Sequence, residues 1–173
     1  MIDFVEQQQD AERPLDHAQF IAELKAIVGD NAVVTASDAL DPYVREWRGK
    51  FQSGAIAAVR PASTEDVSAV VKLCIKHGIS ITPQGGNTGL VGGSVPSDPS
   101  TEIVLSLDRM SAIEDVDPSG NTMLVQAGCI LVDAQRAAQG AQRLFPLSLG
   151  AEGSCRIGGN LSTNAGGINV IRY

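Results

Sequence analysis

The chain has 173 residues, 43% hydrophobic and 19% charged, which describes one globular domain with a sizeable core rather than a disordered segment. A net charge of -7, no Lys/Arg cluster and only 4% aromatic residues argue against a surface for nucleic acid or anionic membrane. Three scattered cysteines, Cys74, Cys129 and Cys155, do not make a disulfide framework and fit a reducing compartment.

Residues 1–14 are polar and glutamine-rich and are expected to fray. Asp3, Glu6, Asp10 and Glu12 without an apolar run match neither a signal peptide nor an Arg-rich transit peptide, so the expected location is cytoplasmic. No stretch approaches the roughly 18 apolar residues of a membrane span. From Asp16, the spacing of Phe20, Ile21, Leu24, Ile27 and Val28 predicts an amphipathic helix closed by Gly29. Residues 32–34 are a short strand candidate. Residues 38–53 read as irregular and carry the chain's one tryptophan, Trp47, beside Arg48.

Residues 56–59 are apolar. Ser63 is placed to cap a helix from Thr64, with Asp66 at a capping-box position. Val67, Val70, Val71, Cys74 and Ile75 form the predicted apolar face, Gly78 ends it, and 79–82 reads as a strand. Cys74 and His77 have ligand-like spacing but lack further ligands, so they read as a core cysteine and a helix-end histidine. His17 reads likewise as a surface residue, and no metal site is expected. Strands are predicted over 102–107, 112–117 and 122–126, with a turn at 117–121, and a helix over 130–138 that stops by Gly140.

Two glycine-rich regions interrupt this pattern. The first, PQGGNTGLVGGSVP at 83–96, has five glycines in fourteen residues and no charge. A mononucleotide phosphate loop needs G-x-x-x-x-G-K-[ST], but Gly93 stands where the lysine belongs. The dinucleotide fingerprint G-x-G-x-x-G needs a following helix, and the frame of these glycines does not match. What remains is a loop that wraps a phosphate with successive backbone N–H groups, for which no cation is required, or a glycine-rich turn with no ligand. The second region, PLSLGAEGSCRIGGNLSTNAGG, interleaves glycine with serine, threonine and asparagine. Long irregular loops are uncommon in compact domains unless functional. Two of them read as opposite walls around one long polar ligand, such as a dinucleotide.

Taken in order, PQGGNTGLVGG, VQAG at 125–128 and PLSLGAEGSCRIGGNLSTNAGG resemble the FAD-binding domain of flavoproteins of the vanillyl-alcohol-oxidase type. Within that family the match is to the branch of D-2-hydroxyglutarate dehydrogenase, D-lactate dehydrogenase and the glycolate oxidase flavin subunit. It covers about residues 55–173.

The resemblance implies an α+β fold, with a small parallel-containing sheet followed by a mixed or antiparallel sheet and flanking helices. It divides the chain into an N-terminal helical or irregular extension, 1–54, and an incomplete FAD-binding domain, 55–173. It implies that Gln84, Gly85, Gly86, Asn87, Thr88 and Gly89 bind the FAD pyrophosphate, with Ser94 a further contact. Pro146, Gly150, Gly153, Ser154, Gly158, Gly159, Asn160, Thr163, Asn164 and Ala165 would follow the ribityl chain and flavin ring.

Relatives that attach FAD covalently through the first loop carry histidine where this chain has Asn87, so non-covalent FAD is expected. Gln84 stands where many relatives have arginine, which removes a positive charge near the phosphates but leaves amide donors. The implied reaction is oxidation of a D-2-hydroxy acid to the 2-oxo acid by hydride transfer to flavin N5. Electrons would pass to a quinone or an electron-transferring flavoprotein, and a homodimer is one assembly this admits. The chain is read as the N-terminal part of a longer enzyme. Its catalytic residues are left unassigned, with Trp47 and Arg48 weighed between an approach to the active site and a packing role. The competing reading is a non-catalytic FAD or nucleotide module, or a subunit whose substrate site lies on another chain.

Overall fold

The computed structural model describes residues 16–173; the fraying expected for 1–14 lies outside the described residues. Helix α1 spans His17–Val28, and its N-cap Asp16 accepts hydrogen bonds from the Ala18 and Gln19 N–H groups. Its cap and its buried stripe, Phe20 and Leu24, follow the predicted pattern. A short 3-10 turn leads into β1 (Val33–Val34). Helix α2 (Ser37–Val44) follows where irregular chain was expected. Pro42 lies inside it and masks it in the sequence, yet Leu40 and Val44, four residues apart, bury one face.

The next unit is strand, helix, strand: β2 (Ala58–Val59), α3 (Thr64–His77) and β3 (Ser80–Gln84). Ser63 Oγ accepts from the Asp66 N–H, and the Asp66 carboxylate accepts from the Ala62 N–H, so cap and first turn brace each other. The buried face of α3 is Val70, Leu73 and Cys74. Ile75, expected inside, is 74% exposed, and Leu73 takes the inward position instead. Strand β3 runs two residues further than predicted, so Gln84 ends a strand rather than opening a loop.

Strand β4 (Glu102–Ser106) inserts between β2 and β3, giving a four-stranded sheet in the order β1-β2-β4-β3. Strands β2 and β3 are parallel to β4, and β1 is antiparallel to β2. Alternation sorts the side chains: Ala57, Val59, Ile103 and Leu105 face α1 and α3, while Ala58 and Val104 face α2. The sheet is therefore covered on both faces, which explains why β4 is buried along its whole length.

A separate small cluster holds the second half. Strands β5 (Ile113–Asp117) and β6 (Thr122–Val125) form an antiparallel hairpin, followed by α4 (Leu131–Gly140). Cys129, Leu131, Ala134, Cys155 and Ile157 are its buried centre. The second glycine region, expected to be all loop, contains a short helix α5, Ile157–Ser162. The expected fold class thus matches the structure: a mixed sheet carrying parallel pairs, then an antiparallel one, with flanking helices.

Candidate functional site

The two glycine regions meet. A Cβ added to Gly86 would lie 2.0 Å from the Ser154 carbonyl oxygen, so only glycine permits this backbone approach. Gly85 packs beside it on the Cβ of Arg156 and on Gly159. The VQAG segment closes the same junction, because Gly158 lies against Ala127 and donates its N–H to the Ala127 carbonyl at 2.8 Å. The three motifs singled out in the sequence are therefore one contiguous structure, and at Gly85 and Gly86 the two expected walls touch.

Other glycines in the same regions face outward. Gly89, Gly93, Gly150, Gly153 and Gly159 have no protein atom within 4 Å of where a Cβ would sit. Beside Gly86 and Asn87 lies an open hollow of about 680 Å³, bordered by Pro42, Arg45, Trp47 and Arg48. Glycine thus does two things in these regions: at some positions it admits close backbone contact, and at others it leaves the backbone open.

The polar side chains of the first loop work mainly inward. Gln84 is buried, and its Nε2 donates to the carbonyls of Tyr43 and Ser94, both at 2.8 Å. Both of its amide hydrogens are used within the protein. Asn87 takes a left-handed backbone conformation, φ 52°. Its Nδ2 donates to the Pro42 and Arg45 carbonyls at 3.1 and 2.8 Å, and its Oδ1 accepts from Ser94 Oγ at 2.8 Å. Asn87 and Ser94 thus stitch the loop to the end of α2. Thr88 is half-buried and Gly89 exposed.

In the second region, Thr163 Oγ1 donates to the Gly159 carbonyl and the buried Asn160 Nδ2 lies 3.6 Å from Cys155 Sγ. Asn164 is also left-handed, φ 51°. The Ala165 N–H donates to the Asn160 carbonyl, while the Pro146 carbonyl accepts from Asn169. Ser154, Gly150 and Gly153 are exposed or open.

Two buried carboxylates brace the first loop, and neither stood out in the sequence. Glu46, 1% exposed, accepts from the N–H groups of Arg48 and Lys50 at 2.8 and 2.9 Å. Burial pushes its carboxyl up, but those hydrogen bonds together with the Arg48 charge outweigh it, and the group titrates below its ordinary value. Arg48 in turn donates to the Leu90 carbonyl within the first loop. Trp47 is 70% exposed among the described residues and stands at the rim of the hollow with Arg48 beside it. Glu102 accepts from Thr82 Oγ1 and from the Ser97 and Asp98 N–H groups, gathering the loop's returning end onto the sheet. It too is held below its ordinary value: burial raises it, and the hydrogen bonds from Thr82, Ser97 and Asp98 more than compensate.

Beneath the loop lies a cluster of Tyr43, Arg60, Asp108 and Arg156. Arg60 grips Asp108 with Nε at 3.1 and 3.0 Å from the two carboxylate oxygens. Burial chiefly, with Asp108 adding, pushes the Tyr43 phenol up, against the pull of Arg60 and Arg156. Arg156 is the one cation in the second glycine run, where the density of glycine draws attention away from it.

The remaining titratable groups singled out in the sequence lie elsewhere. His17 contacts the Ser100 carbonyl, and His77 ends α3 with its ring edge-on to Phe20. The cysteines are free and buried, and burial pushes the Cys74 thiol up to about 11, so it is inert.

Residues 55–173 match a family described as FAD binding domain. The chain is 40% identical over 153 residues to a probable D-2-hydroxyglutarate dehydrogenase, mitochondrial, of Oryza sativa subsp. indica, covering 88% of the chain and 27% of that protein. It is 41% identical over 140 residues to the D-2-hydroxyglutarate dehydrogenase, mitochondrial, of Danio rerio, covering 81% and 26% respectively. The chain thus spans about a quarter of the length of these relatives. Among solved structures, an alkyldihydroxyacetonephosphate synthase superposes with a TM-score of 0.82 at 22% identity, covering 94% of this chain and 32% of that one. That likeness carries the fold.

One expectation is overturned. The cytoplasmic location was inferred from an acidic N-terminus, but these relatives are named mitochondrial, which points to the mitochondrion instead. Charge over the first dozen residues was too local a signal to decide a compartment.

Proposed function

The chain belongs to this family of FAD-binding domains, and from that premise we propose that it forms the cofactor-holding part of a flavin-dependent dehydrogenase that oxidises a D-2-hydroxy acid to the 2-oxo acid. The substrate class rests on the relatives' names, and a mitochondrial setting rests on the same names. The observation that carries the cofactor assignment is the junction of Gly86 with Ser154, where two backbone-rich loops converge beside open glycine surface. FAD supplies a hydride acceptor when bound. The chain's own residues hold and orient it.

In this reading the pyrophosphate is held by loop N–H groups over 84–89. Gln84, Asn87 and Ser94 act through the frame they build, since their side-chain donors already serve protein acceptors. The second loop, with Pro146, Gly150, Gly153, Ser154, Gly158, Gly159, Asn160, Thr163, Asn164 and Ala165, lines the ribityl and flavin end. Attachment is non-covalent, because an amide at Asn87 offers no nucleophile. Reoxidation falls to a quinone or an electron-transferring flavoprotein.

The test is spectroscopic and kinetic. The full-length protein should purify yellow, with a band near about 450 nm that survives native preparation and is released by acid or heat. It should reduce an artificial acceptor with D-2-hydroxyglutarate or D-lactate and not with the L-enantiomers. A colourless protein that gains no flavin on adding FAD would refute the proposal. Bound flavin without oxidation of any D-2-hydroxy acid would favour the non-catalytic module.

A further inference from the structure

We propose that Arg156, lying under the junction of the two glycine loops, supplies the positive charge that holds the pyrophosphate of the bound dinucleotide; this rests on the FAD reading above. The first loop is free of charge, and Gln84 cannot serve as a donor because its amide is spent on Tyr43 and Ser94. A dianionic pyrophosphate held by backbone dipoles alone would still gain from a nearby cation in a partly desolvated site.

Arg156 is placed to be that cation. Its Cβ would stand 3.5 Å from a Cβ on Gly85, so its stem supports the loop directly. Its Nη1 donates to the carbonyl of Gly128, in the VQAG segment, and to that of Asp108 at 3.5 Å. Arg156 therefore touches all three motifs. Its charge is not neutralised by an ion pair among the described residues. Asp108 meets Arg156 through its backbone carbonyl, and its carboxylate is taken by Arg60, with Nη2 2.8 Å from Oδ2. Among the described residues Arg156 makes no ion pair, and its Nε is buried without a hydrogen-bond partner.

A guanidinium left unpaired in a partly buried place is costly unless something compensates it. The structure keeps this one against Gly85 of the uncharged first loop, while the second loop spends most of its own N–H groups on protein carbonyls. An anionic ligand above Gly85 completes the cluster electrostatically, where one guanidinium exceeds the carboxylate.

The experiment uses the full-length protein stripped of flavin and titrated calorimetrically with three probes. FAD and ADP carry the pyrophosphate, and riboflavin does not. Arg156→Met should weaken FAD and ADP by about tenfold or more, the scale of one charge-assisted contact, and leave riboflavin unchanged. Arg156→Lys should stay within about threefold of the parent for all three probes. Should the methionine variant not fold, Arg156→Gln makes the same comparison with a polar side chain. The proposal is overturned by a neutral variant that binds ADP and FAD like the parent, by equal losses across all three probes, or by a lysine variant as weak as the neutral one. A parent protein that binds none of the probes would instead refute the FAD reading itself.

Discussion

At Gly86 one hydrogen in place of a methyl group lets two loops touch. Gly86→Ala places a carbon 2.0 Å from the Ser154 oxygen, and the obstacle is backbone, which cannot rotate away. The expected outcome is separation of the loops and at least about a tenfold loss of FAD affinity, read by quenching of flavin fluorescence. Gly159→Ala, where a Cβ meets nothing within 4 Å, should leave the fold's melting temperature unchanged. Equal behaviour of the two variants in both measurements would contradict this account. At this scale the sequence displays the glycines but not their division of labour. Gly86 and Gly89 are indistinguishable as letters; only the approach of Ser154 separates them. Gln84 and Asn87 are legible as polar loop residues, yet their anchors, Tyr43, Pro42 and Arg45, lie about 40 positions upstream, and no local pattern connects them.

Among the elements, legibility tracks how local the cause is. The start of α3 was readable because Ser63 and Asp66 cap it within one turn, and its end because Gly78 takes the left-handed conformation, φ 65°. Ser63→Ala should lower stability by about 1 kcal/mol, measured as a shift in the urea midpoint with an unchanged slope. An unshifted midpoint would mean that tertiary packing alone sets the start of α3. By contrast, Pro42 and a weak stripe hide α2 in the sequence, and its helical state is decided by Leu40 and Val44 against Ala58 and Val104. The outward position of Ile75 has a related cause. Spacing alone fits either Ile75 or Leu73 to the inner face, and the sheet beneath chooses Leu73. The short helix α5 was hidden by its two glycines, poor helix formers that are tolerated here because Ile157 is anchored in the second core.

Across the whole molecule, the second loop is anchored in its own small core and the first is braced by buried acids. Phe20, Leu24 and Val33, all before residue 55, share one core with Val59, Val70 and Ile103. The frame of the site therefore draws on both sides of the family match. Glu46 fixes the turn that reaches Leu90, and Glu102 fixes the return at Ser97 and Asp98. Both carboxyls titrate below their ordinary value of 4.5 in the folded state. A depressed folded pKa means that the folded state binds fewer protons than the unfolded chain across that interval. The stability they contribute is complete above about pH 4.5 and is lost as pH falls through the folded values. Glu102→Gln should therefore be less stable than the parent at pH 7, with the gap narrowing as pH is lowered toward about 3. Urea midpoints taken across that range measure the gap directly. Because Glu102 closes the loop that carries the glycines, flavin release should advance to higher pH in the variant than in the parent. A gap that stays constant with pH would show that Glu102 contributes as a neutral hydrogen-bonding group, and a variant that loosens without releasing flavin earlier would separate the brace from the site.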